Sequence, residues 1–319
     1  MRNAEFSLSV VVPVLNEAES VDAFLAELVP VLEAVAPQWQ IIFVDDGSSD
    51  RTLPVLQNLA ATHPQIAYLS LSRNFGKELA LTAGIDHAQG DAVIPMDVDL
   101  QDPPALIADM VSLWREGVDV VYATRVRREG DSSTKKLTAA GFYRVMRWIS
   151  PLRIPENSGD FRLLDRRVVD VLKTLRERNR FMRGLYTWVG FRQASVPFVR
   201  AARHVGKTKY GFWRMWNFAL EGMTSFSVVP LRLAMYLGLA ISVAAFAFAA
   251  WIVVKTLVYG RDWPGYASIM VTILFLGGVQ LTAIGFIGEY VGRIYNEVKQ
   301  RPLYVVAQSH GISVHPHGD

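Results

Sequence analysis

Hydrophobic and polar positions follow two periods over the first 125 residues. Short apolar runs such as Ser7–Val14 and Ile66–Leu71 have the length and composition of buried strands. The stretch after the first run instead repeats apolar residues every three or four positions, as an amphipathic helix does. The apolar positions of that helix are Val21, Phe24, Leu25, Leu28 and Leu32. Strands that alternate with helices predict parallel βαβ units, so we expect an open α/β sheet with ligands beyond the carboxyl ends of its strands.

The same alternation predicts the other elements of this region and becomes less regular after it. Further strands are predicted at Gln40–Val44, Ala92–Met96 and Val118–Ala123, and further helices at Asp50–Ala61, Lys77–His87 and Ala105–Glu116. In the middle section, Asp160–Leu164 is predicted as a short strand and Asp165–Leu175 as a helix. We therefore expect one α/β domain over residues 1–210.

Two long apolar stretches follow in the C-terminal part of the chain. Leu233–Val254 and Trp263–Gly288 carry no charge, and each is longer than the roughly 20 residues that a bilayer crossing requires. They predict a hairpin of two transmembrane helices, at about 233–256 and 264–288, within a segment at 231–290. A buried pair of core helices is the alternative, which two such lengths in succession disfavour.

The charges around the apolar stretches predict the orientation. Basic residues flank the outer ends of the pair: Arg200, Arg203, Lys207, Lys209, Arg214, Arg232, Arg293, Lys299 and Arg301. The positive-inside rule then places the α/β domain, a tail at 291–319 and both termini in the cytoplasm of a bacterial cell, with the hairpin in the inner membrane. Residues 211–230 mix Phe212, Trp213 and Trp216 with Arg214 and predict an interfacial helix, with ordinary packing of the aromatics as the alternative.

Composition narrows the chemistry. The chain has no Cys, which excludes disulfides, a thiolate nucleophile and a Cys-ligated zinc site. The net charge is only +3, but the basic residues are concentrated at Arg125–Lys136 and Arg200–Arg214, which indicates an anionic partner. Nucleic acid is not expected as that partner, because the total charge is modest and the basic clusters adjoin the apolar segments.

A pair of carboxylates follows the strand predicted at Ala92–Met96. Asp97 and Asp99 occupy alternate positions, so in an extended segment they point the same way. Two close carboxylates repel, and a divalent cation removes the repulsion. Mg²⁺ or Mn²⁺ takes oxygen ligands and completes its shell with substrate phosphates, and the absence of a nearby His disfavours zinc. Gln101 and Asp102 follow closely and strengthen this interpretation over a solvated turn.

Polar residues also follow two other predicted strands. Asn16 and Glu17 follow the first, and Asp45–Ser48 follows the second and precedes a helix. Carboxylates there could accept from a nucleobase or ribose, although a turn with a helix cap is an equal alternative. Lys77, at the start of another helix, is either a phosphate ligand or part of a solvated first turn.

Two further sites are suggested by single residues or short clusters. Asp160 follows Gly159, which permits close approach of the backbone, so Asp160 is a candidate base. The alternative is an ion pair with Arg162 or another arginine. The basic run from Arg200 to Lys209 could bind anionic headgroups generally, or one lipid phosphate specifically.

Taken in order, these motifs resemble those of a known family. They are Val12–Glu17, Asp45–Ser48, Asp97–Pro104, Gly159–Leu163, Gly206–Tyr210 and, at the end of the second apolar stretch, Gly288–Arg293. The set is similar to inverting family 2 glycosyltransferases of the GT-A fold, specifically polyprenyl-phosphate glycosyltransferases. The bactoprenol glucosyltransferases resemble the chain most, and the dolichol-phosphate mannose synthases are more distant. Val98 departs from the pattern, because relatives usually have Ala there.

The resemblance implies roles for individual residues. Pro13, Glu17 and Asp46 would line the nucleotide pocket, with Lys77 and Asp97 also on the donor side. Asp97, Asp99 and Gln101 would hold Mg²⁺ or Mn²⁺, and Asp99 and Asp160 would be catalytic, with Asp160 near the acceptor. The residues implied to bind the lipid phosphate are Arg125, Arg200, Arg203 and Lys209.

The implied activity is transfer of a hexose, glucose from UDP-glucose first of all, to undecaprenyl phosphate at the cytoplasmic membrane face, for cell-envelope or O-antigen modification. UDP-N-acetylglucosamine, a UDP-aminoarabinose derivative and GDP-mannose stay open as donors, and a homo-oligomer is allowed. A processive polysaccharide synthase is disfavoured, because the chain has no Gln-x-x-Arg-Trp motif. A non-catalytic membrane component is the alternative from another class of protein.

Overall fold

The computed structural model describes residues 5–125, 155, 158–178, 180–198, 229–259 and 265–312. The chain forms two compact units. The first comprises Met1–Ala140, Leu152–Gly211 and Arg301–Asp319, and the second comprises Gly141–Pro151 and Phe212–Gln300. The chain therefore leaves the first unit and later returns to it.

An eight-stranded mixed sheet forms the centre of the first unit within the described residues. Its strands are β1 (Ser7–Val14), β2 (Gln38–Asp45), β3 (Ile66–Leu71), β4 (Ala92–Pro95), β5 (Val120–Arg125), β6 (Ser158–Asp165), β7 (Gln193–Phe198) and β8 (Val306–His310). Their spatial order is β7-β5-β6-β4-β1-β2-β3-β8. Strands β4, β1, β2 and β3 run parallel, whereas β6 lies antiparallel between β4 and β5. The predicted α/β fold is confirmed, with an antiparallel strand that the periodicity did not indicate.

Six helices are described in the first unit, and all but the last, which was not predicted, lie at the predicted places. They are α1 (Val21–Val35), α2 (Thr52–Thr62), α3 (Lys77–His87), α4 (Leu106–Arg115), α5 (Arg166–Thr174) and α6 (Met182–Trp188). All five apolar positions predicted for the first helix are buried in α1, where removal of their surface from water stabilises the fold. They join the fully buried β1 residues Val10 and Val12 in one core.

The strand directions determine which loops meet. Parallel pairing of β1 with β2 and β4 places their carboxyl ends at one edge of the sheet, with Val14 opposite Asp45. Because β6 is antiparallel to β4, its amino end, with Asp160, lies at that same edge. The loops after β1, β2 and β4 and the start of β6 are thus brought together.

The second unit contains two long helices, α7 (Val229–Tyr259) and α8 (Tyr266–Val298), which contact each other. The predicted helical hairpin is confirmed. However, both helices extend past the apolar stretches into charged residues: α7 includes Arg232 and Lys255, and α8 includes Glu289, bonded to Arg293 at 2.9 Å. Among the residues that the structure describes, we find no helix that combines the length and the apolar character required to cross a membrane. The prediction of two transmembrane helices is therefore not supported by the structure.

After α8 the chain returns to the first unit, where β8 pairs antiparallel with β3 and forms one edge of the sheet. Tyr304 precedes β8 and is buried, and its hydroxyl donates to Asp86 Oδ2 at 3.0 Å. Neither β7 nor β8 was predicted from the sequence. Residues 211–228 of the predicted interfacial helix lie outside the described residues, and residues 229 and 230 belong to α7.

Candidate active site

The acidic segment after β4 is a turn rather than an extended strand. Strand β4 ends at Pro95, and Leu100 has a φ of 53°, in the left-handed region. The prediction that Asp97 and Asp99 share an extended segment is therefore wrong. Val98 between them is buried, whereas Asp99 is exposed and Asp97 is partly exposed. Both carboxylates therefore reach the surface, although Lys77 Nζ lies within 2.8 Å of both oxygens of Asp97. Asp99 Oδ1 accepts a hydrogen bond from the backbone N–H of Gln101 at 3.2 Å.

A chain of ion pairs joins this turn to β6. Lys77 Nζ, at the start of α3, lies 2.7 Å from Asp97 Oδ1 and donates to Asp160 Oδ2 at 2.8 Å. The other oxygen of Asp160 accepts from Arg183 Nε of α6 at 3.0 Å. Asp160 is buried, with 6% of its surface exposed, so both of its oxygens are occupied by cations inside the protein.

Arg162 does not take part in this chain, contrary to one of the partners considered for Asp160. It is fully buried, its Nη2 donates to the carbonyl oxygen of Gly159 at 2.6 Å, and its guanidinium lies 4.1 Å from the ring centre of Tyr186. Arg162 therefore supports the backbone beside Asp160 and packs against Tyr186. The arginine that pairs with Asp160 is Arg183.

The ion pairs decide the protonation of the central groups. Burial alone would raise the pKa of Asp160, but the charges of Lys77 and Arg183 outweigh burial and hold that pKa below its usual value. Burial likewise opposes the charge on Lys77, yet Asp160 and Asp97 raise the pKa of Lys77 above its usual value. Near neutral pH the carboxylate of Asp160 is therefore ionised, and both of its oxygens already accept hydrogen bonds. The arrangement favours a positioning role for Asp160 over that of a proton acceptor.

Asp46 holds the loop that carries Lys77. Its two oxygens accept from the backbone N–H groups of Phe75 at 2.7 Å and Gly76 at 2.9 Å, and burial raises its pKa. Gly76 is the residue before α3 and has a φ of 98°, which favours glycine. Asp46 therefore fixes the beginning of the helix that places Lys77, and its contact with a nucleobase stays a prediction.

The loops after β1 and β2 are hydrogen-bonded to each other. Asn16, with a φ of 55°, accepts through Oδ1 from the backbone N–H of Ser49 at 2.8 Å, and its own N–H donates to Ser48 Oγ at 2.9 Å. The backbone N–H of Glu17 donates to Thr52 Oγ1 at 2.9 Å. These bonds place Glu17 beside the start of α2, while Pro13 lies within β1 opposite Val44.

Gln101, Asp102 and Arg125 form a polar group beside Gly159. Arg125 Nη2 lies 3.5 Å from Asp102 Oδ1, and a Cβ added to Gly159 would lie 3.5 Å from that same nitrogen. Gln101 is 5% exposed, and its Nε2 has no hydrogen-bond partner among the described residues. A buried amide without a partner is costly, so it marks a place where a ligand can bind.

The structure thus brings together several of the residues selected from the sequence. Five of them, from five different loops or strands, meet at one edge of the sheet: Asp46, Lys77, Asp97, Arg125 and Asp160. Arg200, Arg203 and Lys209 lie outside the described residues. Sequence reasoning missed Arg183, which follows several other arginines, among them Arg176 and Arg180, and has no pattern that distinguishes it from them.

Comparison with known proteins assigns the class. The fold and the family model agree: residues 9–172 match the model of glycosyl transferase family 2, and residues 229–294 match the GtrB C-terminal hairpin. The chain belongs to glycosyl transferase family 2, as the motifs predicted.

Relatives match almost the whole chain. An uncharacterised glycosyltransferase of Synechocystis sp. is 52% identical over 309 residues, which are 97% of each chain. The SfII prophage-derived bactoprenol glucosyl transferase of Shigella flexneri is 48% identical over 303 residues, 95% of this chain and 98% of the relative. Among solved structures, the mannosyltransferase PcManGT of Pyrobaculum calidifontis, in complex with GDP-Man and Mn²⁺, is similar with a TM-score of 0.50 at 19% identity, covering 92% of this chain and 88% of that one. This last likeness shows the GT-A fold.

Proposed function

We propose that the protein transfers glucose from UDP-glucose to a prenyl phosphate, with inversion at the anomeric carbon. The observation that carries the proposal is the 48% identity, over 95% of the chain, with a protein named bactoprenol glucosyl transferase. The match extends through the C-terminal hairpin, and the family model of that hairpin covers residues 229–294. A shared catalytic unit and a shared hairpin together favour a shared pair of substrates.

The donor side of the site consists of the loops after β1, β2 and β4. Pro13, Glu17 and Asp46 lie at the carboxyl ends of β1 and β2, where open α/β sheets bind nucleotides. Lys77 Nζ, which is 2.7 Å from Asp97, provides a positive charge for the diphosphate. These positions explain why the donor would be a sugar attached to a nucleoside diphosphate.

Asp97, Asp99 and Gln101 are the residues that would hold Mg²⁺ or Mn²⁺. The described residues contain no group of three or more His, Cys, Asp or Glu side chains placed to hold a metal. Two accessible carboxylates fit a cation that takes most of its other ligands from water and substrate phosphates, as Mg²⁺ usually does. Gln101 Oε1 would be the third ligand, and two carboxylates with one amide oxygen suit such an ion. The nitrogen of that buried amide, Nε2, has no partner among the described residues and is a hydrogen-bond donor available to a phosphate oxygen. When bound, the cation neutralises the charge that develops on the departing nucleoside diphosphate.

The acceptor needs little help from a base. A phosphate monoester has a second pKa of about 6, so its oxygens are already largely ionised near neutral pH. Asp160, held in its charged form by Lys77 and Arg183, then serves to fix these cations in place. Arg125 lies beside Gly159, and we assign it to the lipid phosphate together with Arg200, Arg203 and Lys209.

The C-terminal hairpin would attach the enzyme to the membrane that contains the acceptor. Helices α7 and α8 expose large apolar side chains, including Phe246 at 77%, Leu257 at 82% and Leu281 at 72%. Exposed apolar surface of this extent is typical of membrane or protein contacts, and a prenyl phosphate is itself confined to a bilayer. The basic residues that flank the outer ends of the hairpin, such as Arg232 and Arg301, support an orientation with the catalytic unit and both termini at the cytoplasmic face of a bacterial inner membrane.

Incubation with labelled donors tests this function. Membranes that contain the protein are supplied with undecaprenyl phosphate and, separately, with radiolabelled UDP-glucose, UDP-N-acetylglucosamine, a UDP-aminoarabinose derivative and GDP-mannose, and the lipid is then extracted. We expect label in the lipid from UDP-glucose above all. Label from another donor would reassign the sugar, and extracts without label from any donor would contradict the proposed activity.

A further inference from the structure

Arg183 is positioned at the site but was not indicated by the sequence. Its Nε donates to Asp160 Oδ1 at 3.0 Å, which fixes one edge of the planar guanidinium. Among the described residues, its terminal nitrogens Nη1 and Nη2 make no hydrogen bond. The side chain is 35% exposed, whereas that of Asp160 is 6% exposed. Arg183 is therefore anchored on the protein side and accessible on the other.

The backbone that carries Arg183 is also held in place. The N–H of the preceding residue, Met182, donates to Glu78 Oε2 at 2.7 Å, and Thr82 Oγ1 contacts Met182 Sδ at 3.7 Å. Three residues after Arg183, Tyr186 is fully buried against Arg162. Contacts to α3 and β6 thus position both ends of this short helix, and the guanidinium loses little conformational freedom when it binds a ligand.

The local charges favour an anion. Lys77 and Arg183 share Asp160 as a partner, and the terminal nitrogens of Arg183 have no carboxylate of their own among the described residues. Lys77 also reaches Asp97, the carboxylate assigned to the donor side, and the charge of Asp97 influences Arg183 as well. The two cations therefore lie beside the acidic turn that we assign to the donor. Two fixed N–H donors on one guanidinium match the geometry of two phosphate oxygens.

We propose that Arg183 binds a phosphate group of the reaction through its terminal nitrogens, and that Asp160 orients it for this task. This inference rests on the proposed function and extends it by one residue. The phosphate belongs either to the prenyl phosphate or to the nucleoside diphosphate, and both offer the same oxygens. The competing explanation is that Arg183 only neutralises the buried Asp160.

Substitution of Arg183 in the full-length protein distinguishes these explanations. Arg183→Gln removes the charge and Arg183→Lys retains it without the planar pair of donors. Arg176→Gln is the matched control, because Arg176 forms its ion pair with Asp86, at a distance of 2.8 Å, and not with a residue of the site. For each variant we measure the KM for prenyl phosphate, kcat, the affinity for UDP by calorimetry and the midpoint of thermal unfolding.

We expect Arg183→Gln to raise the KM for prenyl phosphate about 10- to 100-fold, Arg183→Lys to raise it less, and Arg176→Gln to leave it unchanged. An equal loss in affinity for UDP, with the KM for prenyl phosphate unchanged, would support phosphate binding and assign it to the donor. If neither quantity changes, or if lower activity only follows a lower unfolding midpoint, the inference is wrong. Direct binding of prenyl phosphate to the wild type and to Arg183→Gln, followed by tryptophan fluorescence, decides the matter even if the wild type transfers no glucose.

Discussion

Lys77 and Asp160 form an ion pair with 2.8 Å between Nζ and Oδ2, although 83 positions separate them in the sequence. Lys77 comes from the loop held by Asp46, and Asp160 comes from the antiparallel strand beside β4. The same Nζ also reaches Asp97. Lys77 therefore connects the acidic turn after β4 with Asp160, the carboxylate that holds Arg183. Ion pairs between side chains of the protein thus hold the site together.

We expect Asp160→Asn to lower kcat by about 10- to 100-fold, because Lys77 and Arg183 lose the charge that fixes their positions. The measurement is steady-state glucose transfer to prenyl phosphate. Asp170→Asn is a matched control, since Asp170 is exposed and pairs with Arg166 at 3.6 Å on the surface. Full kcat in Asp160→Asn would remove Asp160 from the mechanism.

The same substitution changes the dependence of stability on pH. The folded-state pKa of Asp160 lies below the value of about 3.9 for an unfolded aspartate, so its ion pairs stabilise the fold above that value and are lost as the pH falls through the folded pKa. We expect the free energy of unfolding to fall more steeply between about pH 5 and pH 2 in the wild type than in Asp160→Asn.

Glu78 contributes to that dependence with the opposite sign, because burial, with the charge of Asp160 as a further cause, raises its pKa. The comparison is therefore repeated in a Glu78→Gln background, which keeps an acceptor for the N–H of Met182. Equal slopes for the two proteins in that background would show that Asp160 is not held in its charged form by ion pairs.

Lys77→Met leaves Asp160 with Arg183 as its only cationic partner among the described residues. We expect it to lower the free energy of unfolding by about 1–2 kcal/mol, at the lower end for a buried group that loses a partner, because the Lys77 side chain is 42% exposed. Chemical unfolding measures this loss. Lys77→Arg retains the charge and should lose less, and a Lys77→Met protein as stable as the wild type would contradict the account.

Removal of the cation should stop the reaction. We expect EDTA to abolish glucose transfer and Mg²⁺ or Mn²⁺ to restore it. We expect Asp97→Asn and Asp99→Asn to weaken metal-dependent binding of UDP by at least about tenfold, because each removes a charged oxygen ligand. Calorimetry of UDP with and without the metal measures this effect. Unaltered metal-dependent binding in both variants would show that the ion is held elsewhere.

The strand after the hairpin should contribute to the stability of the first unit. Tyr304→Phe removes the hydroxyl that donates to Asp86 Oδ2, and we expect a loss of about 1–2 kcal/mol in the free energy of unfolding. Tyr68→Phe on β3 serves as control, since the Tyr68 hydroxyl makes no hydrogen bond among the described residues. Equal stability of the two variants would indicate that the Tyr304 hydroxyl contributes little.

The spacing of apolar residues along the chain predicted the strands and helices of the first 125 residues. Strands β1 to β5 and the helices between them show their periods in the sequence, and parallel pairing then places Asp46 and Asp97 at one edge. The antiparallel insertion of β6 and the return of β8 depend on pairing between distant segments, which no local period records.

The same reason explains the successes and failures at the site. Asp160 and Lys77 were each selected, but their ion pair depends on the direction of β6. Arg183 was missed because its importance comes from the position of α6 and not from its neighbours in sequence. The prediction of an extended segment at Asp97 and Asp99 was wrong because Leu100 adopts the left-handed conformation without a sequence signal such as Gly or Asn.

Analysis of the lipid product tests the central claim most directly. The purified protein is incubated with UDP-glucose, a prenyl phosphate and Mg²⁺, and the extracted lipid is examined by mass spectrometry and by NMR of the anomeric carbon. The account predicts a lipid phosphate that has gained one hexose in β linkage, with one UDP released per hexose transferred. UDP and free glucose without glycosylated lipid, or a product in α linkage, would contradict it.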